Sequence, residues 1–346
     1  MKRTTLDDIA QSAGISKMAV SLALRGSSRV AEATRKRVAD LAQKMNYQPD
    51  PAVSRLAANR WKEQTGDRHE TIAYLGYEQQ LVDWIDTYLL QGVRERAHAH
   101  GYTVLSHIVK PGTNPKRLAE KLWKQGITGL ICGYIPANSF VESFPWQQFA
   151  VTHCMMGPTL VNGHYILPNH ASCARIAWEH AVASGATRIG VVLLDKTNPV
   201  DEIQRTGGHY YCQQVCYPHL PKLPLCRLPP DENVHVDILV RWVLHNKPEV
   251  ILGFNDYIYW LLIRAGISIP GQVKFIDLYS TRKARKEIAS LDTRPTLIGQ
   301  RAVDLVDTLL RRRVHSVDQS DTIMMVDPVW SAGASLPERT NARSPN

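Results

Sequence analysis

The side chains best suited to reading a DNA base pair are concentrated in one short segment near the N-terminus. Lys17, Met18, Ser21 and Leu22 have the spacing of residues that share one face of a helix. An ammonium group can donate hydrogen bonds to guanine, and an apolar side chain can contact the methyl group of thymine. This face therefore predicts recognition of DNA.

Two capped helices would position that face. Thr5, followed three residues later by Asp8, has the spacing of a capping box, and Gly14 suits the left-handed residue that ends a helix. Ser16 can cap the second helix. The inward-facing residues of these helices, and of a third helix from about 31 to 46, are Leu6, Ile9, Ala10, Ala13, Ala19, Val20, Ala23, Leu24, Val38, Leu41, Ala42 and Met45. The pattern predicts a helix-turn-helix, with Arg35, Lys36 and Arg37 exposed on the third helix.

Positive charge is concentrated in the same region. Residues 1–64 contain 12 Lys and Arg against six Asp and Glu, whereas the whole chain contains 41 against 32. Helical periodicity alone leaves an ordinary three-helix bundle as the alternative. The excess of positive charge favours a domain that neutralises phosphates.

A short helix can follow this domain. Asp50 can cap it and Pro51 suits its first turn, so that a helix over 52–59 would carry Leu56 at its exposed end. Eight residues are too few for a helix that is stable alone, so we expect it to form only with DNA and a partner chain. A plain linker is the alternative.

The rest of the chain alternates short apolar strands with helices from residue 71 onward, which predicts parallel sheets flanked by helices. Such sheets bind ligands at the carboxyl ends of their strands. The candidate ligand contacts in the loops after those strands are Tyr77, Trp84, Asn169, Asp195, Arg205, Asn255, Asp256 and Asp277. Aromatic side chains at helical spacing, such as Trp260, are more often part of a core.

Composition excludes several classes. With 346 residues and 44% hydrophobic content, the chain has room for two or three domains. No apolar run approaches the length of a membrane span and no signal peptide is visible, so we expect a cytoplasmic protein without membrane contact. The six cysteines lack metal-site spacing, which favours buried thiols and neither metal nor cofactor. No G-x-S-x-G, H-E-x-x-H or P-loop motif is present, and an enzyme is not expected.

The sequence also resembles the lac repressor (LacI/GalR) family. The runs that carry the resemblance are Leu6-Asp7-Asp8-Ile9-Ala10, Ala13-Gly14-Ile15-Ser16, Ala19-Val20-Ser21, Val30, Thr34-Arg35, Arg37-Val38, Asn46-Tyr47-Gln48-Pro49, Glu179-His180, Gly185, Asn255-Asp256, Gly266-Ile267-Ser268-Ile269-Pro270 and Gly299-Gln300-Arg301-Ala302-Val303-Asp304-Leu305. It is continuous from about Thr4 to Leu56 and uneven beyond.

The resemblance implies an all-α helix-turn-helix domain joined to an α/β, periplasmic-binding-protein-like (type I) effector domain of two parallel-sheet subdomains. The implied boundaries are a DNA-binding domain over 1–49, a hinge helix over 50–60, a linker over 61–70, a ligand-binding domain over 71–339 and a tail over 340–346. Within the ligand-binding domain, the N-subdomain takes about 71–187 and 293–323, and the C-subdomain about 188–292 and 324–339.

The resemblance further implies a homodimeric regulator, more often a repressor, that binds a palindromic double-stranded DNA operator and a small-molecule effector. Leu56 matches the leucine that the family wedges into the minor groove, and Arg205 matches an effector-binding arginine. The expected DNA contacts are Thr5, Ser16, Lys17, Met18, Ser21, Leu22, Arg25, Arg29, Val53, Arg55 and Leu56. A non-specific architectural DNA-binding protein with a vestigial ligand domain is the alternative.

Several positions depart from the family pattern. Ala19 and Leu22 stand where the family commonly has Thr and Arg, and loss of the Arg removes a base contact typically worth about 1–3 kcal/mol. Asp50 replaces a usual Asn and Val53 a usual Ala. The resemblance implies that the effector is a sugar or a related metabolite. Asp277-Leu278-Tyr279 stands where Gly-Tyr-Asp is usual, so the set of carboxylates that would bind a sugar is incomplete, which argues against a sugar.

Overall fold

The chain forms two compact units, Met1–Arg68 and His69–Asn346, in a computed structural model. The structure describes residues 4–24, 30–45, 47, 70–77, 83–134, 139–154, 163–195, 199–280, 285–312 and 322–337. Each unit is described by itself. The predicted hinge helix at 50–60 and the linker at 61–70 lie outside the described residues, apart from Glu70.

Three helices make up the described part of the first unit. They are α1 (Leu6–Ala13), α2 (Lys17–Leu24) and α3 (Glu32–Lys44). Their shared core is formed by Ile9, Ala10, Ala13, Val20, Ala23, Val38 and Ala42, all buried. Seven of the twelve predicted inward residues are thus fully buried. The larger ones, such as Leu6 and Met45, pack at the edge of this small core.

The first sheet of the second unit has six strands. They are β1 (Glu70–Tyr77), β2 (Tyr102–Val109), β3 (Gly129–Cys132), β4 (Ala150–His153), β5 (His164–Pro168) and β11 (Ile323–Val326), in the order β11-β5-β4-β3-β1-β2. Every pairing in it is parallel. The described helices between its strands are α4 (Asp83–Ala99), α5 (Pro115–Lys124) and α6 (Ser139–Ser143), and α11 (Pro295–Arg312) precedes β11.

The second sheet repeats this arrangement. Its strands are β6 (Ile189–Leu194), β7 (Cys226–Leu228), β8 (Val250–Gly253), β9 (Lys274–Ser280), β10 (Ala289–Asp292) and β12 (Val329–Ser331), in the order β12-β10-β9-β8-β6-β7. Only the pairing of β10 with β12 is antiparallel. The accompanying helices are α7 (His170–Ala183), α8 (Pro199–Tyr211), α9 (His235–Asn246) and α10 (Asp256–Arg264). The predicted α/β architecture of two parallel-sheet subdomains is confirmed.

The subdomain boundaries differ from the expected ones. Helix α7 was expected in the first subdomain, yet Cys173, Ala177 and Ala181, spaced four residues apart, join the core under β6 and β9. Small side chains at that spacing give α7 a flat apolar face for close packing on the second sheet. Strand β11, expected at 324 to belong to the second subdomain, instead extends the first sheet through Val326. The chain therefore changes sheets near residues 169 and 327.

Helices α4 and α11, which lie beside the first sheet, pack closely against each other. A Cβ atom on Gly92 would lie 1.9 Å from the carbonyl oxygen of Thr296, and one on Gly299 would lie 2.2 Å from the carbonyl oxygen of Leu89. These are backbone atoms that cannot move aside as a flexible side chain would. The glycines are therefore what allows the two helices to pack this closely.

The other compositional expectations have mixed outcomes. Five of the six cysteines are buried and all six are free, but Cys216 is exposed, so the prediction of a buried thiol is wrong there. None of the helices in the described part of the chain is long and apolar enough to cross a membrane.

Candidate nucleic-acid interface and ligand site

The turn between α1 and α2 has the caps that its sequence predicts. The amide and hydroxyl groups of Thr5 both donate to the Asp8 carboxylate at 2.7 Å, and the Asp8 amide donates back to the Thr5 hydroxyl at 3.3 Å. Gly14 adopts a left-handed conformation with φ of 63°. The Ala19 amide donates to the hydroxyl of Ser16 at 3.2 Å. The start of α2 is thus fixed relative to α1.

Helix α2 presents a small exposed surface at its N-terminus. Met18 is 74% exposed and Lys17 is exposed beside it, whereas Val20 and Ala23 point into the core. Ser21 and Leu22 are half-buried. This is the end of a recognition helix that contacts base edges in helix-turn-helix proteins. The other predicted DNA contacts, which are Arg25, Arg29, Val53, Arg55 and Leu56, lie outside the described residues.

Not every cation of this unit is available for phosphate. A guanidinium nitrogen of Arg37 donates to the carbonyl oxygen of Ala13 at 2.8 Å, and so satisfies the C-terminal end of α1. Arg35 is half-buried. The prediction that Arg35, Lys36 and Arg37 are all exposed is therefore wrong for Arg35. Sequence periodicity could not show that the exposed Arg37 also makes this tertiary hydrogen bond.

The second unit buries an arginine at the ends of its strands. Arg205 on α8 is only 6% exposed, and its guanidinium carbon lies 4.7 Å from the ring centre of Phe254 and 5.2 Å from that of Tyr279. A guanidinium nitrogen lies 3.5 Å from Nε2 of His170, the first residue of α7. Burial, and then the positive charge of Arg205, hold the pKa of His170 well below its usual value. Helices α7 and α8, strand β9 and the loop after β8 thus meet around the guanidinium group of Arg205, which stacks on two aromatic rings.

Asp277 is the middle residue of β9 and pairs with Gly253, the last residue of β8. It is 3% exposed and accepts a hydrogen bond from the Tyr279 amide at 3.0 Å. Burial raises the pKa of its carboxyl group to about 8. The carboxyl group therefore holds a proton at neutral pH and can donate a hydrogen bond, unlike an ionised carboxylate.

Two predicted asparagines act as helix caps. The side-chain oxygen of Asn169 accepts from the Ser172 amide at 3.1 Å, and its side-chain nitrogen donates to Asp327 at 2.8 Å. The second hydrogen bond joins two segments in which the chain passes from one sheet to the other. Asn255 accepts from the Tyr257 amide at 3.1 Å at the start of α10.

The other two carboxylates of the predicted set, Asp256 and Asp195, are ion-paired. Asp256 lies 3.3 Å from a guanidinium nitrogen of Arg285. Asp195 lies 3.1 Å from Arg227, which also pairs with Glu202. A ligand that used Asp195 would compete with Arg227 for it.

The family assignment rests on the N-terminal unit. Residues 5–50, which hold the capped helix pair and α3, match the family of "Bacterial regulatory proteins, lacI family". Over these residues the N-terminal unit matches the lacI family. The fold of the chain is a helix-turn-helix domain followed by a periplasmic-binding-protein-like domain, as the resemblance implied.

Proteins similar to this chain match it either over most of its length or, at higher identity, over a short part of it. The transcriptional repressor PurR of Mannheimia succiniciproducens is 22% identical over 92% of the chain and 95% of its own length. The sucrose operon repressor of Klebsiella pneumoniae is 45% identical over 62 residues, which cover 17% of the chain and 19% of that repressor. The crystal structure of the lac repressor dimer bound to operator and the anti-inducer ONPF has a TM-score of 0.58 at 18% identity, covering 97% of this chain and all of that one.

The predicted ligand contacts do not all lie together. Arg205 and Asp277, with His170, Phe254 and Tyr279, gather at one end of the second sheet. Tyr77 instead ends β1 of the first sheet and packs against the core formed there by residues such as Leu75. Trp84 lies in α4, but its side chain is outside the described set.

A cluster of buried polar side chains in the first sheet was not predicted from the sequence. Thr152, His153 and His164 are buried, and no described residue supplies a hydrogen-bond partner to Oγ1, Nε2 and Nδ1 of these side chains, respectively. His153 ends β4 and stacks on Tyr165 with ring centres 4.8 Å apart. Burial, and then the charge of His164, lower the pKa of His153 to about 4. The available signal was a histidine at the carboxyl end of a strand.

Proposed function

We propose that this protein is a transcription regulator, acting as a repressor, which binds a palindromic operator as a homodimer and responds to a small-molecule effector. The observation that carries the proposal is a capped helix-turn-helix with an exposed Lys17-Met18 pair in a chain whose family consists of bacterial regulatory proteins. The curated relatives are transcriptional repressors and regulators rather than enzymes.

The exposed start of α2 supports the DNA-binding part of the proposal. The first residues of α2 are exposed, and such residues contact base edges when a recognition helix enters the major groove. Two copies related by a two-fold axis would read the two halves of a palindrome. Leu56 in a paired hinge helix would wedge into the central step and kink the duplex.

The effector part rests on the second sheet. Asn255 follows β8, Asp277 pairs with Gly253 at the end of β8, and Arg205 on α8 stacks on Phe254 just beyond that strand. Open α/β sheets bind ligands at the carboxyl ends of their strands, and His153 would contribute from the first sheet. A buried cation and a carboxyl group that keeps its proton supply hydrogen-bond donors. The effector is therefore a metabolite rich in acceptor oxygen or nitrogen atoms, such as a sugar or a related compound.

Selection of bound duplexes from a random DNA pool tests the DNA-binding part. The purified full chain is incubated with the pool at near-physiological salt, and the bound duplexes are sequenced. We expect a palindrome with a flexible pyrimidine–purine step at its centre. Recovery of duplexes with no shared motif would contradict sequence-specific repression and favour the architectural protein, which binds by charge alone.

A further inference from the structure

Lys17, the exposed cation at the start of α2, is paired with an acid on the neighbouring helix. Its ammonium nitrogen lies 2.6 Å from a carboxylate oxygen of Asp7. Both side chains are well exposed, at 59% for Lys17 and 61% for Asp7. The acid therefore lies on the same exposed face as the cation expected to meet DNA.

The local structure makes Asp7 the partner of this cation. The adjacent acid, Asp8, accepts the two capping hydrogen bonds from Thr5, which fixes the first turn of α1. Asp7 precedes Asp8 in that turn, where a carboxylate is stabilised by the N-terminal end of the helix dipole. Lys17 is the first residue of α2, where the same dipole disfavours a cation. A carboxylate beside its ammonium group offsets that effect.

We infer that Asp7 is a specificity-determining residue that withholds Lys17 from phosphates and keeps its ammonium group at the base-reading face. The inference rests on the proposed DNA-binding function. A free lysine side chain follows the nearest phosphate, and such contacts strengthen binding to every sequence equally. A lysine held by Asp7 contributes chiefly when a base-edge acceptor such as guanine lies within its restricted reach.

An isolated exposed ion pair contributes little to stability. The pair therefore matters here through the position of the ammonium group rather than through folding. Asp7 also carries a negative charge close to the DNA surface, which makes any approach of this end of α2 to a phosphate less favourable. Both effects lower binding to random sequence more than binding to a matched site.

The test is the salt dependence of binding to a duplex of random sequence, measured with the full chain. The variants are Asp7→Asn, Lys17→Gln, the double variant and Asp7→Glu, which keeps the carboxylate. Asp40→Asn is the matched control, because it removes one exposed carboxylate from α3 and changes the net charge equally. Thermal melting of each variant checks that the domain remains folded.

We expect Asp7→Asn to steepen the plot of log affinity against log salt by about one unit, because Lys17 becomes a phosphate contact. Random-sequence affinity should rise about three- to ten-fold at 0.15 M salt, and the ratio of operator to random affinity should fall by a similar factor. Lys17→Gln should leave the wild-type slope unchanged and should abolish the effect of Asp7→Asn. Asp7→Glu and Asp40→Asn should retain the wild-type slope.

A wild-type slope in Asp7→Asn would overturn the inference. So would a slope reduced by about one unit in Lys17→Gln alone, because Lys17 would then already contact a phosphate despite Asp7. These slopes need no preferred site. A failure of the random-pool selection would thus contradict the proposed function, while the slopes would still decide the role of Asp7.

Discussion

At the scale of single residues, the second unit keeps several ionisable groups in the form that carries no charge. His153 has a pKa of about 4 and His209 of about 3, because burial disfavours the imidazolium ion. Asp277, with a pKa near 8, retains its proton for the same reason. Neutral polar groups at the ends of strands are suited to hydrogen-bonding an uncharged part of a ligand.

The lowered pKa values of the buried histidines predict that acid destabilises the second unit. The unfolded chain binds protons on histidine from about pH 6.5 downward, whereas folded His153 does so only near pH 4. The stability that His153 contributes is therefore present above pH 6.5 and is lost as the pH falls through 4. Asp277 acts with the opposite sign, because its contribution is present below about pH 4 and is lost as the pH rises through 8.

His153→Phe separates these contributions, because phenylalanine can keep the stack on Tyr165 but does not titrate. Between pH 7 and pH 5 the wild-type chain should lose about 2 kcal/mol more of its unfolding free energy than the variant. The measurement is urea denaturation at the two pH values. Asp277 titrates in both proteins, so its effect cancels in the comparison. An equal loss in both proteins would show that His153 is not held neutral by the fold.

At the scale of elements, α4 and α11 depend on two glycines at their crossing. Gly299→Ala should destabilise the second unit by roughly 1–3 kcal/mol, because its new methyl group would overlap the carbonyl oxygen of Leu89 unless the helices separate. The loss would appear as a lower denaturant midpoint.

Gly207→Ala is the matched control for that substitution. Gly207 lies inside α8 with nothing within 4 Å of the position of a new Cβ atom. Alanine is favoured over glycine in a helix by up to about 1 kcal/mol, so this variant should be neutral or more stable. Equal destabilisation by both substitutions would mean that helix content, rather than the crossing, sets the effect.

The same elements show what sequence could predict. The capping box at Thr5 and the left-handed Gly14 follow from local patterns and are confirmed. The predicted alternation of apolar strands with helices is confirmed too, for example by the strands over 129–132 and 250–253. Helix α8 was missed because Gly207-Gly208 argues against a helix. Gly208 is accommodated by packing, since a Cβ there would lie 3.0 Å from the Cβ of Ala174. Strands β10 (Ala289–Asp292) and β12 (Val329–Ser331) lack the continuous apolar run that marks β3 and β8, so the sequence did not predict them.

The site residues divide in the same way. Lys17 and Met18 could be found because their exposure depends on one helix. Arg205 was found through a family resemblance, but its stacking on Phe254 and Tyr279 depends on residues distant in sequence. The polar group around His153 depends on the pairing of β4 with β5, and β5 contains a proline and was not predicted. Tertiary contacts of this kind leave no local signal.

At the scale of the whole molecule, the proposed regulation requires that ligand binding by the second unit changes DNA binding by the first. An effector can do this only through different affinities for two states of the protein, and one that binds both states equally shifts nothing. A coupling of 1–3 kcal/mol, or about 5- to 150-fold in operator affinity, is typical of such proteins.

The measurement that tests this claim most directly is operator affinity with and without a bound ligand. Common mono- and disaccharides and nucleobases would first be screened for those that raise the melting temperature of the full chain. Affinity for the operator recovered from the random pool would then be measured at saturating ligand. Arg205→Met, which removes the buried cation, would serve as a second protein.

We expect at least one stabilising ligand to change operator affinity five-fold or more, and we expect Arg205→Met to abolish both the stabilisation and the change in affinity. A ligand that stabilises the protein in an Arg205-dependent manner but leaves operator affinity unchanged would show that ligand binding and operator binding are not coupled. The second unit would then bind a small molecule without controlling the DNA-reading helices.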